Sequence, residues 1–83
     1  MRLDKFLKVS RIIRRRSVAA DAARAGRTEI NGRPAKAGAQ VHVGDEVALH
    51  FGDKIFRFRI LNVQETVKKE DTSSMYEVLV DET

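Results

Sequence analysis

Asn31-Gly32 constrains the fold of this 83-residue chain more than any other pair of residues in it. Both residue types tolerate positive φ, which the tightest turns between antiparallel strands require. Thr28-Glu29-Ile30 on one side and Arg33-Pro34-Ala35 on the other are therefore expected to form a hairpin. Pro34 has no N–H to donate, so the return strand belongs at a sheet edge. Upstream, residues 18–25 read Val-Ala-Ala-Asp-Ala-Ala-Arg-Ala, a sequence of high helix propensity and little bulk. Ser17 is suited to cap its start, and Gly26 to end it in a left-handed conformation. Further upstream, Leu3, Phe6 and Leu7 fall at i, i+3, i+4 and make one apolar helical stripe, with Arg2, Lys5 and Lys8 off it. Ser10 is positioned to cap a further turn beginning at Arg11, with Ile12 and Ile13 facing inward.

Beyond the hairpin the period changes to two. Val47, Leu49 and Phe51 alternate with polar residues, Gly52-Asp53 turns the chain, and Phe56, Phe58 and Ile60 alternate with Arg57 and Arg59. These two arginines are expected on a solvated sheet face. Residues 64–74 are polar and predict an exposed loop, and residues 75–80 predict a last strand. The chain thus reads as one α+β domain over 1–83, with short N-terminal helices packed on a small, mostly antiparallel sheet. Its parts are basic helices and a hairpin (1–36), strands (37–63), an exposed loop (64–74) and the last strand.

Charge is distributed unevenly over these parts. Residues 1–36 hold eleven Lys/Arg against three Asp/Glu, and residues 37–83 hold five against nine. Within the basic part, Arg11-Ile12-Ile13-Arg14-Arg15-Arg16 places four guanidiniums in six residues. Arginine is permanently charged and presents a planar fork of donors that matches phosphate. Arg11, Arg14 and Arg15 at i, i+3, i+4 would share a helix face with no acid beside them, which is destabilising unless an anion binds there. A basic half of this kind points to nucleic acid. The five aromatics sit mainly on apolar faces and read as core, so structured RNA, recognised through shape and phosphates, fits better than stacked single strands.

Other chemistry finds little support. Without cysteine there is no disulfide framework and no thiolate metal site, which suits a reducing, intracellular compartment. No apolar run approaches a membrane span, and the Ala-rich helix lacks the apolar face of a membrane-surface helix. His42, Asp45 and His50 match no metal-ligand spacing, and Ser10 and Ser17 are explained as caps. No phosphate loop or dinucleotide fingerprint is present. We expect no catalytic residue, no metal and no cofactor.

Arg2-Leu3-Asp4-Lys5-Phe6-Leu7, Ser10-Arg11, Arg16-Ser17-Val18-Ala19, Ala25 through Arg33 and Val43 through Val47 together resemble the S4 RNA-binding domain family. The resemblance implies an α-L fold, in which helices and a hairpin form a concave basic surface. Chain length, Lys68-Lys69-Glu70 and Met75-Tyr76 extend the likeness to the RqcP family of bacterial ribosome-associated quality control factors. The chain is also similar to the small heat-shock protein that binds free large ribosomal subunits, but it ends Asp81-Glu82-Thr83 where that protein has a basic extension. This resemblance implies a non-catalytic, cytoplasmic, monomeric protein. It would bind large-subunit ribosomal RNA and tRNA where a stalled peptidyl-tRNA remains, and would work beside a factor that adds a C-terminal tail to the nascent chain. The RNA-binding residues expected are Arg2, Lys5, Arg11, Arg14, Arg15, Arg16, Arg27, Arg33 and Lys36. The alternatives are a general structured-RNA-binding or ribosome-assembly factor and a DNA-binding helix-turn-helix protein. The latter would need base-reading Asn or Gln on its recognition helix, and residues 18–25 have none.

Overall fold

A computed structural model describes residues 1–12, 27–51 and 53–82. The second helix expected at 18–25, with Ser17, Gly26, Ile13 and Arg14 to Arg16, lies outside the described residues. Helix α1 spans Leu3–Val9. Five strands follow: β1 (Thr28–Ile30), β2 (Arg33–Ala35), β3 (Glu46–Phe51), β4 (Lys54–Ile60) and β5 (Tyr76–Asp81). They form one sheet in the order β2-β1-β3-β4-β5, with every pairing antiparallel. The expected α+β class is what the molecule has.

The hairpin forms where Asn31-Gly32 requires it. Asn31 has φ 53° and Gly32 φ 81°, and Thr28 faces Ala35 across the pair. β2, which carries Pro34, is an edge strand. Asn31 does more than turn the chain. Its amide Nδ2 donates to Asp45 Oδ1 at 3.0 Å, and its Oδ1 accepts from the Glu46 backbone N–H at 3.0 Å. The turn is thereby fastened to the start of β3.

The core lies between α1 and one face of the sheet. Leu3, Phe6, Leu7 and Ile12 pack with Val47, Leu49, Phe56, Phe58 and Ile60 in one buried cluster. Phe6 stacks on Phe58 with ring centroids 6.0 Å apart and 8° between planes. Phe58 also meets Phe56 and, edge-on, Tyr76. Offset and edge-on ring pairs of this kind add about 0.5–1.5 kcal/mol each beyond the area they bury.

Helix α1 begins without a side-chain cap. Its first amides are bound instead by the loop that leads from β2 to β3: Leu3 N–H donates to the Ala39 carbonyl at 2.8 Å and Asp4 N–H to that of Ala37 at 2.9 Å. Val41 N–H returns a bond to the Met1 carbonyl, and Arg2 forms a single bridge with Gln40. The helix start is thus held by residues more than thirty positions away, and its first two orphan donors are satisfied by backbone.

Four expectations need correction. Among the described residues of 37–63, β3 and β4 are the strands and 37–45 and 61–63 are not, because residues 37–41 spend their backbone groups on the N-terminus of α1. Residues 64–74 are not wholly an exposed loop. Lys69–Ser74 form a 3-10 helix in which Thr72 is buried and its hydroxyl donates to the Lys69 carbonyl. Met75 precedes the last strand rather than joining it. It is fully buried, and its carbonyl accepts from Leu61 N–H. Ser10 ends α1, and its hydroxyl points back to the Leu7 carbonyl.

Candidate nucleic-acid interface

Arg2, Lys5, Lys8 and Arg11 recur every third residue, and the fold sets them beside one another along the outer side of α1. The apolar stripe is turned into the core, so these positions are left outward. Two adjoining depressions run along the helix. Arg2, Asp4, Lys5 and Lys8 line one; Lys8, Val9, Arg11, Glu65, Thr66 and Val67 line the other. Lys8 borders both. Its charge stands in the last turn of α1, where the helix dipole favours a cation.

Arg2 occupies the N-cap position. Its guanidinium Nη2 lies 3.2 Å from Asp4 Oδ2, and the side chain remains 60% exposed. Gly38 makes room for it, since a Cβ at Gly38 would lie 3.2 Å from Arg2 Nη2. Lys5 hydrogen-bonds through its ammonium to the Glu65 carboxylate, an exposed pair joining residues sixty apart. This hydrogen bond, and then the charge of Lys5, hold the Glu65 carboxyl below the usual carboxylate range. The expected basic surface is therefore not free of acids: Asp4 and Glu65 both reach it.

Arg11 corrects a second expectation. It is expected to begin a helical turn, but its φ is 64°. It takes the left-handed position that follows the C-cap Ser10, with its N–H bonded to the Lys8 carbonyl at 3.2 Å. Leu7 and Ile12, which flank this helix end, are both buried. Such a stop normally uses Gly. Here it turns an arginine into the groove. Arg14, Arg15 and Arg16 lie outside the described residues.

The remaining expected residues are divided between faces. Arg33 pairs in register with Ile30, so it stands at the edge of the sheet face that α1 covers. Arg27 precedes Thr28 and borders a separate depression with Thr28, Glu29, Pro34 and His50. Lys36 is exposed, at the head of the loop that binds the start of α1. Of the expected residues, Arg2 and Lys5 share one depression and Arg11 lines the adjoining one, and Lys8, whose helical spacing already pointed outward, borders both.

The opposite face of the sheet has a different character. Arg59 lies between Glu46 and Glu77, at 3.4 and 3.3 Å. On this face His50 Nε2 lies 2.9 Å from Glu29 Oε1, and in the loop before β3 His42 Nδ1 lies 3.6 Å from Asp45 Oδ2. The histidines thus go to separate carboxylates. Among the described residues, no three or more His, Cys, Asp or Glu gather as metal ligands. No described helix is long and apolar enough to cross a membrane.

Known proteins match this chain at several levels. The family model described as "S4 domain" matches residues 1–47. The RQC P-site tRNA stabilizing factor of Halalkalibacterium halodurans is 52% identical over 82 residues, covering 99% of this chain and 93% of that protein. The factor of the same name from Bacillus subtilis is 48% identical over 82 residues, covering 99% and 95%. Among solved structures, heat shock protein 15 of Vibrio cholerae superposes with a TM-score of 0.74 at 25% identity, covering 95% of this chain and 81% of that one.

Proposed function

The chain belongs to the S4-domain family of RQC P-site tRNA stabilizing factors, non-catalytic RNA-binding proteins of ribosome-associated quality control, and we propose on that premise that its α1 groove grips RNA phosphates on the ribosome. The RNA it holds is a tRNA that still carries a stalled nascent chain, together with ribosomal RNA of the large subunit. By holding both, the protein keeps the peptidyl-tRNA in place while a tailing factor extends the nascent chain. It acts as a cytoplasmic monomer and needs no cofactor.

The observation that carries this reading is the row Arg2, Lys5, Lys8 and Arg11, which runs from the N-cap of α1 to the residue after its C-cap and is followed in sequence by further arginines. Cations in a row suit a phosphate backbone, whose charge repeats along the strand, better than a single small anion. Arg33 and Lys36 widen the surface so that two RNA backbones can be touched at once, and the sequence adds the charges of Arg14, Arg15 and Arg16. Arg27 contributes from its own side of the hairpin. Contacts to the second backbone add to the first without any new pocket.

Co-sedimentation tests the reading. Large ribosomal subunits carrying peptidyl-tRNA should retain this protein more tightly than empty subunits, and Arg2→Ala or Arg16→Ala should lower retention. Equal retention by both kinds of subunit would reduce the protein to a general structured-RNA binder.

A further inference from the structure

We propose that Glu65 is an internal competitor for RNA phosphate, occupying Lys5 until RNA displaces it. The inference rests on the reading of the α1 groove as an RNA-binding surface. It adds an acidic element from outside the segment that matches the S4 domain, which ends at residue 47.

Glu65 reaches the groove from a stretch without regular structure between β4 and the 3-10 helix. Its carboxylate meets the Lys5 ammonium, and Thr66 and Val67 beside it line the groove with Lys8 and Arg11. A carboxylate on an ammonium offers the same chemistry as a phosphate oxygen: anionic acceptors at hydrogen-bond distance. Both side chains stay open to solvent, Lys5 at 50% and Glu65 at 73%, so an incoming phosphate can reach Lys5 and replace Glu65. Exposed pairs of this type are weak enough to be exchanged. A glutamate carboxyl is ionised at neutral pH, and Lys5 holds that of Glu65 lower still, so it competes as a full charge.

Asp4, the other acid in the groove, has a local role that explains it. It sits in the first turn of α1, where the helix dipole favours an anion, and its Oδ1 accepts the Lys5 backbone N–H at 2.8 Å. Glu65 has no comparable service to a helix. Its effect falls on Lys5, whose positive charge it cancels beside Lys8 and Arg11. That lowers affinity for any isolated phosphate backbone and leaves tight binding to targets with enough contacts to displace it. Glu65 thus favours an RNA assembly over stray RNA.

The test titrates fluorescently labelled protein with large ribosomal subunits carrying peptidyl-tRNA, across potassium chloride at fixed magnesium. Glu65→Gln keeps the side-chain shape and removes the charge. It should bind roughly two- to fivefold tighter, the range expected for releasing one exposed pair, with a salt slope steeper by about one unit. In a Lys5→Ala background the same substitution should change neither. Unaltered or weaker binding of Glu65→Gln, while the wild type shows a steep salt slope, overturns the competitor role alone. A wild type with no salt dependence overturns the RNA-binding reading beneath it. An equal gain from Glu65→Gln with and without Lys5 would mean that the carboxylate does not act through Lys5, which also contradicts the proposal.

Discussion

Arg11 shows how a single residue can serve binding at the expense of backbone ease. A left-handed conformation at φ 64° costs a non-glycine residue about 1–2 kcal/mol. Arg11→Gly should relieve part of this and raise the melting temperature, by up to about 1 kcal/mol of stability. The same substitution removes a groove cation and should weaken RNA binding. Thermal melts and binding titrations on one variant should therefore move in opposite senses; a fall in both would contradict the assignment. Gly38 offers a second residue-scale test. An alanine Cβ there would press on the Arg2 guanidinium, which can swing aside at little cost to the fold. Gly38→Ala is expected to melt close to wild type yet to lose part of the affinity that Arg2→Ala loses. That Arg2, Lys5 and Lys8 face outward was legible from their spacing against Leu3, Phe6 and Leu7. Their partners were only partly so. Asp4 is adjacent in sequence, but Glu65 lies sixty residues from Lys5, and no local pattern connects them.

At the scale of elements, what was legible is what is local. The hairpin could be read because Asn and Gly accept the positive φ of both turn positions without help from the rest of the chain. The clamp that Asn31 makes on Asp45 and Glu46 could not, because it depends on β1 pairing with β3. Asn31→Ala should consequently cost more than a turn substitution alone. Loss of the left-handed preference and of two hydrogen bonds predicts roughly 2–3 kcal/mol, measurable by urea denaturation. A loss well under 1 kcal/mol would show that the clamp contributes little. The 3-10 helix at Lys69–Ser74 escaped sequence reading for a related reason. Its residues are polar and have no apolar period, and what orders it is Thr72 and Met75 entering the interior. The left-handed Arg11 was hidden as well, since the stop of α1 does not use the expected glycine.

Over the whole molecule, function divides between two sides. One sheet face and α1 make the core, with Phe58 in contact with Phe6, Phe56 and Tyr76. Because so much of the interior converges on this ring, Phe58→Ala should destabilise the protein by about 3–5 kcal/mol and leave little folded chain at 37 °C. The other sheet face pairs its own charges, as Arg59 does with Glu46 and Glu77. The basic groove of α1 lies on the other side and is the surface proposed for an anionic partner. The division was legible in the net charges of residues 1–36 and 37–83, although the fold returns Glu65 from the acidic part to the basic side. The central claim is that Arg2, Lys5, Lys8 and Arg11 act as one phosphate-binding row. It is tested most directly by the salt dependence of binding to large subunits carrying peptidyl-tRNA, for the wild type and for Arg2→Ala/Lys8→Ala. Neither side chain belongs to the core, so the variant should remain folded. The account predicts weaker binding and a salt slope shallower by about two units, one for each phosphate contact removed. An unchanged slope and affinity would contradict it.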